Sequence, residues 1–163
     1  MEKQELYIKA YNFAKEKHSG QTRIGGEPYI SHPAAVAEML YGKGFRGDYI
    51  VTALFHDLLE DTDTTEEEIL AIGGCDVLKA VKLLTKKKGC DMQEYVNGIR
   101  SNDIAFNVKC ADRLHNLNTA VCADSFFIKQ YIEETEKWYL DFSEDIVAAT
   151  AKLKKVLNRR TTA

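Results

Sequence analysis

The spacing of apolar residues predicts helices along most of the chain. Residues 48–61 show the pattern most clearly, with apolar side chains at helical intervals: Ile50, Val51, Leu54, Phe55 and Leu58. This spacing predicts one helix with one face in a hydrophobic core. Asp48 is a candidate N-cap, because its carboxylate can accept hydrogen bonds from the free amides of the first turn.

Caps and helix breakers mark the other predicted helices. The opening helix should end near His18, where the imidazole is interpreted as a cation at the helix C-terminus. Pro33 suits the first turn of the next helix, and Thr65 with Glu68 forms a capping box for a helix that Gly73–Gly74 should end. Further helices are predicted at Val77–Leu84, at Met92–Ile99, at 103–121 with Asp103 as N-cap, and in 126–158 with a break near Asp141–Ser143. No segment alternates like a β-strand, so we expect an all-α fold that forms a single domain over residues 1–163.

The central predicted helix carries four polar groups in its last turns, although it is otherwise apolar. His56 lies four residues before Glu60, and Asp57 lies four before Asp61, so each pair should share one side of the helix. Buried carboxylates and imidazoles are costly unless they are paired or bound to a cation. The cluster is therefore either a salt-bridged surface or a metal site.

Two other segments carry candidate partners for this cluster. Asp112, Asn116 and Thr119 form one polar stripe on the helix at 103–121, which is either an exposed face or part of a site. His32 stands at a helix entrance beside Pro33 and, taken alone, is as well explained by capping or packing.

Taken together, the candidate ligands form a set of two imidazoles and two carboxylates: His32, His56, Asp57 and Asp112. Such a mixed nitrogen and oxygen set suits Mn, Fe or Zn and leaves coordination positions for water and a phosphate oxygen. Glu60 and Asp61, one turn further on, are candidates for general acid and base chemistry.

Charge and cysteine content narrow the possible functions. The chain has 22 Lys and Arg residues against 25 Asp and Glu residues, a balance that disfavours non-specific nucleic-acid binding. No apolar run reaches the roughly 18 residues of a membrane span, and the polar N-terminus does not resemble a secretory signal. The four cysteines are far apart, which indicates reduced, mostly buried thiols of a cytoplasmic protein: Cys75, Cys90, Cys110 and Cys122.

Residues 86–89, three lysines and a glycine, form either a solvated linker or a phosphate site.

Three segments carry a resemblance to a known family: residues 22–33, 53–62 and 108–119. In composition and order they resemble the hydrolase domain of the Rel/SpoT alarmone family, an HD-superfamily domain, and the similarity runs from about residue 18 to residue 119. The resemblance implies a compact multi-helix HD-domain bundle with C-terminal helices over 125–158. It also implies an enzyme that removes the 3′-pyrophosphate from guanosine tetra- and pentaphosphate.

The resemblance also implies a role for each candidate residue. It assigns one manganese ion per chain to His32, His56, Asp57 and Asp112. It assigns catalysis to Glu60 and Asp61, guanine stacking to Arg23, and substrate contacts to Asn116 and Thr119. The loop at Gly26–Tyr29 should lie over the base.

Two departures from the family pattern leave other substrates open. Ile24 stands where the family usually has Lys, and Asn118 stands where Arg is common, so positive charge is missing near the expected nucleotide. The alternatives are an HD-type phosphohydrolase of another nucleotide or dinucleotide phosphate, or a non-catalytic nucleotide-binding module. Long family members continue into a synthetase domain where this sequence ends, so we expect a small stand-alone hydrolase.

Overall fold

A computed structural model describes residues 2–162, with side chains from residue 4 to residue 162. Within these residues the chain is a bundle of helices with no β-strand, as the apolar spacing predicted. The helices are α1 (Glu2–Lys17), α2 (Ser31–Gly42), α3 (Asp48–Phe55), α4 (Leu58–Asp61), α5 (Glu66–Leu84), α6 (Met92–Arg100), α7 (Asp103–Thr119), α8 (Ser125–Trp138) and α9 (Glu144–Thr161). In the described part of the chain, no helix combines the length and the apolar character needed to cross a membrane.

The helix α3 lies at the centre of the bundle and packs against α1, α2, α5 and α7. Every residue from Ile50 to Phe55 is buried, so the expectation of a single buried face was wrong. Neighbours surround α3 on all sides, and its threonine and alanine are buried along with its larger apolar residues.

The predicted helix over 48–61 is interrupted at His56 and Asp57. The first part ends at Phe55, and α4 begins at Leu58 after Asp57 takes φ −101° and ψ −3°. The backbone amide of Asp61 still bonds to the carbonyl of Asp57 at 2.9 Å, so the chain keeps its general direction. The interruption places both polar residues at a corner instead of along one helix face.

Two predicted N-caps are off by one residue. Gly47, with φ 61°, precedes α3, so Asp48 is the first helical residue and its side chain makes no cap bond. For α7 the cap is Asn102, whose side-chain oxygen accepts from the amide of Ala105 at 2.9 Å. Asp103 instead accepts a hydrogen bond from the hydroxyl of Tyr49.

Several local predictions are confirmed. Thr65 and Glu68 make a reciprocal capping box, and Gly74, with φ 82° and ψ −177°, breaks the helical path inside α5. Pro33 is the third residue of α2. A 3₁₀ turn at Leu140–Phe142 separates α8 from α9, near the predicted break.

His18 lies at the predicted end of the first helix, whereas the cysteines are more exposed than expected. His18 directly follows α1, as predicted, and is buried, with its Nδ1 2.8 Å from Oε1 of Gln21. The four cysteines are free, but Cys75 and Cys122 are exposed and the other two are half-buried. Gly74 turns the chain just before Cys75, and Cys122 lies in a surface 3₁₀ turn, so local turns keep both near the surface.

The packing of α2, α3 and α7 against one another positions the site. His32 is on α2, His56 and Asp57 follow α3, and Asp112 is on α7. All four candidate ligands therefore project from elements that meet in the core.

A candidate metal centre with two adjoining cavities

The fold brings the four candidate ligands together, although they are up to 80 residues apart in sequence. The Nε2 atoms of His32 and His56 are 3.3 Å apart, and Oδ2 of Asp57 lies 3.1 Å from Nε2 of His56. One oxygen of Asp112, Oδ1, lies 3.1 Å from Nε2 of His32 and 3.6 Å from Nε2 of His56. Each of the four side chains therefore places a potential ligand atom within 3.6 Å of an imidazole nitrogen of the cluster.

The outer nitrogens of both imidazoles have hydrogen-bond partners, and the partner of His56 fixes its proton position. Nδ1 of His56 lies 2.6 Å from the carbonyl oxygen of Ala53, which only a protonated Nδ1 can satisfy. Nδ1 of His32 lies 2.8 Å from Nδ1 of His115. Burial, followed by His32 and Arg23, lowers the pKa of His115 to about 4, so a neutral His115 can accept this bond. Both Nε2 lone pairs can then face the cluster, as metal coordination requires.

The charges of the cluster favour a bound cation. Burial would lower the pKa of His56, but Asp57 and Asp112 outweigh it and hold this pKa well above its usual value. Burial opposes ionisation of Asp57, yet His56 holds the pKa of that carboxyl at about 2. Lys109 and the two imidazoles hold the pKa of Asp112 well below the usual value despite its burial. Two ionised carboxylates beside two imidazoles form a donor set that fits a divalent metal.

Neighbouring side chains orient the two carboxylates. The hydroxyl of Tyr29 donates to Oδ2 of Asp57 at 2.7 Å. Lys109 donates to Oδ2 of Asp112 at 3.0 Å, and the amide of Asn116 donates to its Oδ1 at 2.8 Å. Such supporting bonds restrict the ligand rotamers and are part of most metal sites.

Glu60 and Asp61 lie beside the cluster and line a polar cavity of about 180 Å³ together with Asp57 and Asp112. Oε2 of Glu60 accepts from the backbone amide of Lys86 at 3.1 Å. Partial burial, reinforced by the charge of Asp57, raises the pKa of both Glu60 and Asp61. In the described part of the chain, the compact metal-ligating group comprises His32, His56 and Asp57, and Asp112, Glu60 and Asp61 all lie outside it. Asp112 differs from the other two because its Oδ1 lies 3.1 Å from Nε2 of His32 and 3.6 Å from Nε2 of His56. The positions of Glu60 and Asp61 suit proton transfer next to the cluster.

The three candidate substrate-binding residues contact one another. Nη2 of Arg23 donates to Oδ1 of Asn116 at 2.8 Å and to Oγ1 of Thr119 at 3.1 Å. The loop that carries Arg23 is closed by a bond from its amide to the carbonyl of Glu27 at 2.8 Å, and Gly26 takes φ 90° in the turn. Only glycine adopts this φ without strain, which explains the residue at this position.

A second, less polar cavity of about 340 Å³ lies over these three residues. Its wall includes Ile24 and Asn118, the two departures from the family pattern. Among the residues that the structure describes, Arg23 is the one cationic side chain in that wall. The two cavities share Asn116 and Tyr131, so they adjoin.

Sequence reasoning missed several residues of the site. Tyr29, Lys109 and His115 contact the candidate ligands, and Arg113 is buried beside them. Helical spacing gives a signal for Lys109 and His115, since each lies three residues from Asp112. Tyr29 carries no such signal, because it meets Asp57 only through the tertiary fold.

Comparison with known proteins shows the family. A family model described as HD domain matches residues 10–145. The chain is 32% identical to guanosine-3′,5′-bis(diphosphate) 3′-pyrophosphohydrolase MESH1 of Danio rerio, over 94% of this chain and 91% of that protein. It is 37% identical to the GTP pyrophosphokinase Rsh of Brucella suis, over 73% of this chain but only 18% of that protein.

A solved structure has the same fold. It is described as a metazoan orthologue of SpoT that hydrolyses ppGpp, and it aligns with a TM-score of 0.74 and 24% identity over 95% of each chain. At this identity the structural likeness supports the fold alone. The family model and the full-length relative show that the chain belongs to the HD domain family and, as the sequence resemblance predicted, groups with the MESH1, SpoT and Rsh proteins.

Proposed function

We propose that this chain hydrolyses the 3′-pyrophosphate of guanosine tetra- and pentaphosphate, releasing pyrophosphate and leaving GDP or GTP. The observation that carries this proposal is that the two cavities adjoin and share Asn116 and Tyr131 in their walls. A cavity large enough for a purine adjoins a polar cavity that contains the His and Asp cluster and two further carboxylates. The similarity to MESH1 over nearly the whole of both chains supports the same substrate.

The larger cavity is proposed to hold the guanine base. Asn116 and Thr119 hold the guanidinium of Arg23 in place, and this planar cation can stack on a purine. A base at this position directs the 3′ substituent of the ribose toward Asn116 and into the polar cavity. The distance between the two cavities would then select which phosphate group reaches the cluster.

The metal is proposed to be one manganese ion held by His32, His56, Asp57 and Asp112. When bound, such an ion lowers the pKa of water and withdraws electron density from phosphorus. The bond between Nδ1 of His56 and the carbonyl of Ala53, together with the low pKa values of both carboxylates, supports this ligand set.

Glu60 and Asp61 are proposed to move the protons. The oxygen of a water molecule bonds to the phosphorus next to the 3′ oxygen, and the bond from that phosphorus to the 3′ oxygen breaks. Glu60, as a carboxylate, accepts the proton of the water, and the 3′ oxygen leaves with a proton donated by Asp61. Burial, with the charge of Asp57, raises the pKa of Asp61, and the hydroxyl of Tyr29 lies 3.5 Å from its Oδ2.

A second candidate function is hydrolysis of another nucleotide phosphate. It is favoured by one observation, the presence of Ile24 and Asn118 in the wall of the larger cavity instead of cations. A ligand with fewer phosphates on its 5′ side would lose little there.

Product analysis separates these candidates. We expect the chain with manganese to convert guanosine tetraphosphate into GDP and pyrophosphate, and to leave GTP and GDP intact because they lack a 3′-pyrophosphate. Comparable cleavage of plain nucleoside triphosphates would support the second candidate. Nucleotide binding without any cleavage would support a non-catalytic module.

We also propose that residues 1–163 act as one hydrolase domain in the cytoplasm. The family match across residues 10–145 and the four free cysteines support this view.

A further inference from the structure

A second group of charged residues lines the polar cavity and has no part in the proton transfers described above. Lys86 follows α5, Arg113 is on α7 and Glu134 is on α8. They come from three separate elements and meet only in this cavity. Lys86 begins the lysine-rich loop for which the sequence left open either a solvated linker or a phosphate site.

The carboxylate of Glu134 bridges the two cations with one oxygen each. Nζ of Lys86 lies 3.4 Å from Oε1, and Nη1 of Arg113 lies 3.5 Å from Oε2. Partial burial opposes ionisation of Glu134, but Arg113 and Lys86 outweigh it and lower its pKa, so the carboxylate is charged at neutral pH. Two oxygens held between a lysine and an arginine reproduce the contacts that a phosphate group would make.

Two aromatic rings and burial hold Arg113 in this position. Its side chain is 5% exposed, and its guanidinium lies 4.4 Å and 4.1 Å from the ring centres of Tyr131 and Tyr139. Its Nε is buried and has no hydrogen-bond partner among the described residues. A guanidinium that two aromatic rings hold in the wall of a cavity is suited to bind an anion there.

We propose that Lys86 and Arg113 form a phosphate-binding pair in the polar cavity, which the carboxylate of Glu134 occupies until a phosphate group of the nucleotide displaces it. The identification of that phosphate as part of a nucleotide rests on the proposed function. The backbone amide of Lys86 also bonds to Glu60, so a phosphate on this pair lies next to the proposed general base.

Glu134 then acts as a specificity-determining residue. A ligand must displace a bound carboxylate, and an anion with a single charge gains little from that exchange. A pyrophosphate group carries more charge and can engage both cations, so it gains more. The cavity therefore discriminates in favour of pyrophosphate esters.

The test is calorimetric titration of the full chain with inorganic phosphate, which needs no turnover. Glu134→Gln keeps the size of the side chain and removes its charge. We expect this variant to bind phosphate at least about fivefold more tightly. This factor is the repulsion that one unit charge exerts on another about 4 Å away in bulk water. The matched control is Glu133→Gln, the same change one residue earlier at an exposed position, and it should change the affinity less than twofold.

A second pair of variants tests the cation. Lys86→Gln should weaken phosphate binding by a similar factor, whereas Lys87→Gln, also exposed in the same loop, should not. Unchanged or weaker phosphate binding by Glu134→Gln would overturn the proposal. So would a lower melting temperature without an affinity gain, since that result assigns Glu134 a structural role.

The outcome can be separated from that of the proposed function. A gain in phosphate affinity without hydrolysis of any guanosine polyphosphate would leave the binding pair intact and contradict the proposed reaction. If the wild type hydrolyses the tetraphosphate but Glu134→Gln binds phosphate no more tightly, the proposed reaction is supported and the phosphate-binding pair is contradicted.

Discussion

Replacement of Glu60 by Gln tests the proposed division of labour between metal ligands and proton-transfer groups. In the wild type, the backbone amide of Lys86 lies 3.1 Å from Oε2 of Glu60. Glutamine has the same size and keeps a side-chain oxygen that can accept this hydrogen bond. Glu60 bonds there to a backbone group, so the substitution leaves no buried cation unpaired. We therefore expect the free energy of unfolding to change by no more than about 0.5 kcal/mol.

The expected effect on turnover is much larger. An amide cannot accept the proton of the attacking water, and positioned acid–base groups contribute about 10²–10⁴-fold to rates. This range corresponds to about 3–5.5 kcal/mol of transition-state stabilisation. Metal content should stay at the wild-type level, because Glu60 lies outside the compact group of His32, His56 and Asp57 and, unlike Asp112, has no oxygen within 4 Å of either imidazole nitrogen in the described part of the chain.

The assay combines kcat for pyrophosphate release, metal content by elemental analysis and thermal unfolding on the same samples. Glu67→Gln is the matched control, since Glu67 is an exposed carboxylate in the first turn of α5. Loss of metal from Glu60→Gln would show that Glu60 is a ligand. Wild-type turnover would show that it is an ordinary surface carboxylate.

Further predictions concern the metal, the base and the stability of the fold. His56→Ala and Asp112→Ala should each lose the metal in elemental analysis, and unchanged metal would exclude them as ligands. Manganese affinity, measured by titration at several pH values, should fall as the pH is lowered, because the raised pKa of His56 lets a proton compete for Nε2; a flat profile would contradict this. Arg23→Ala should raise KM much more than it lowers kcat, the pattern of lost uniform binding, and an effect on kcat alone would argue against stacking. Thr65→Ala should lower the free energy of unfolding by about 1 kcal/mol through loss of the capping box, with kcat unchanged.

Local features of the sequence predicted much of the fold and the composition of the site. Caps and breakers such as the Thr65–Glu68 box and Gly74 act within a few residues, so they can be recognised without tertiary structure. The polar stripe on α7 was visible as spacing, and its burial decreases from Asp112 to Thr119.

The features that sequence reasoning missed depend on long-range packing. Whether α3 is buried on one face or on all sides depends on how many helices surround it, and apolar spacing does not report that number. The bond between Tyr29 and Asp57 and the pairing of His32 with His115 join residues 28 and 83 positions apart. The burial of Arg113 was missed because the aromatic rings beside it come from elsewhere in the chain.

Anomalous diffraction from a crystal grown with manganese is the most direct test of the central claim. We expect one peak per chain, within about 2.5 Å of Nε2 of His32, Nε2 of His56 and a carboxylate oxygen of each of Asp57 and Asp112. A peak at Glu60 and Asp61 instead, or no peak within reach of the two imidazoles, would contradict the account.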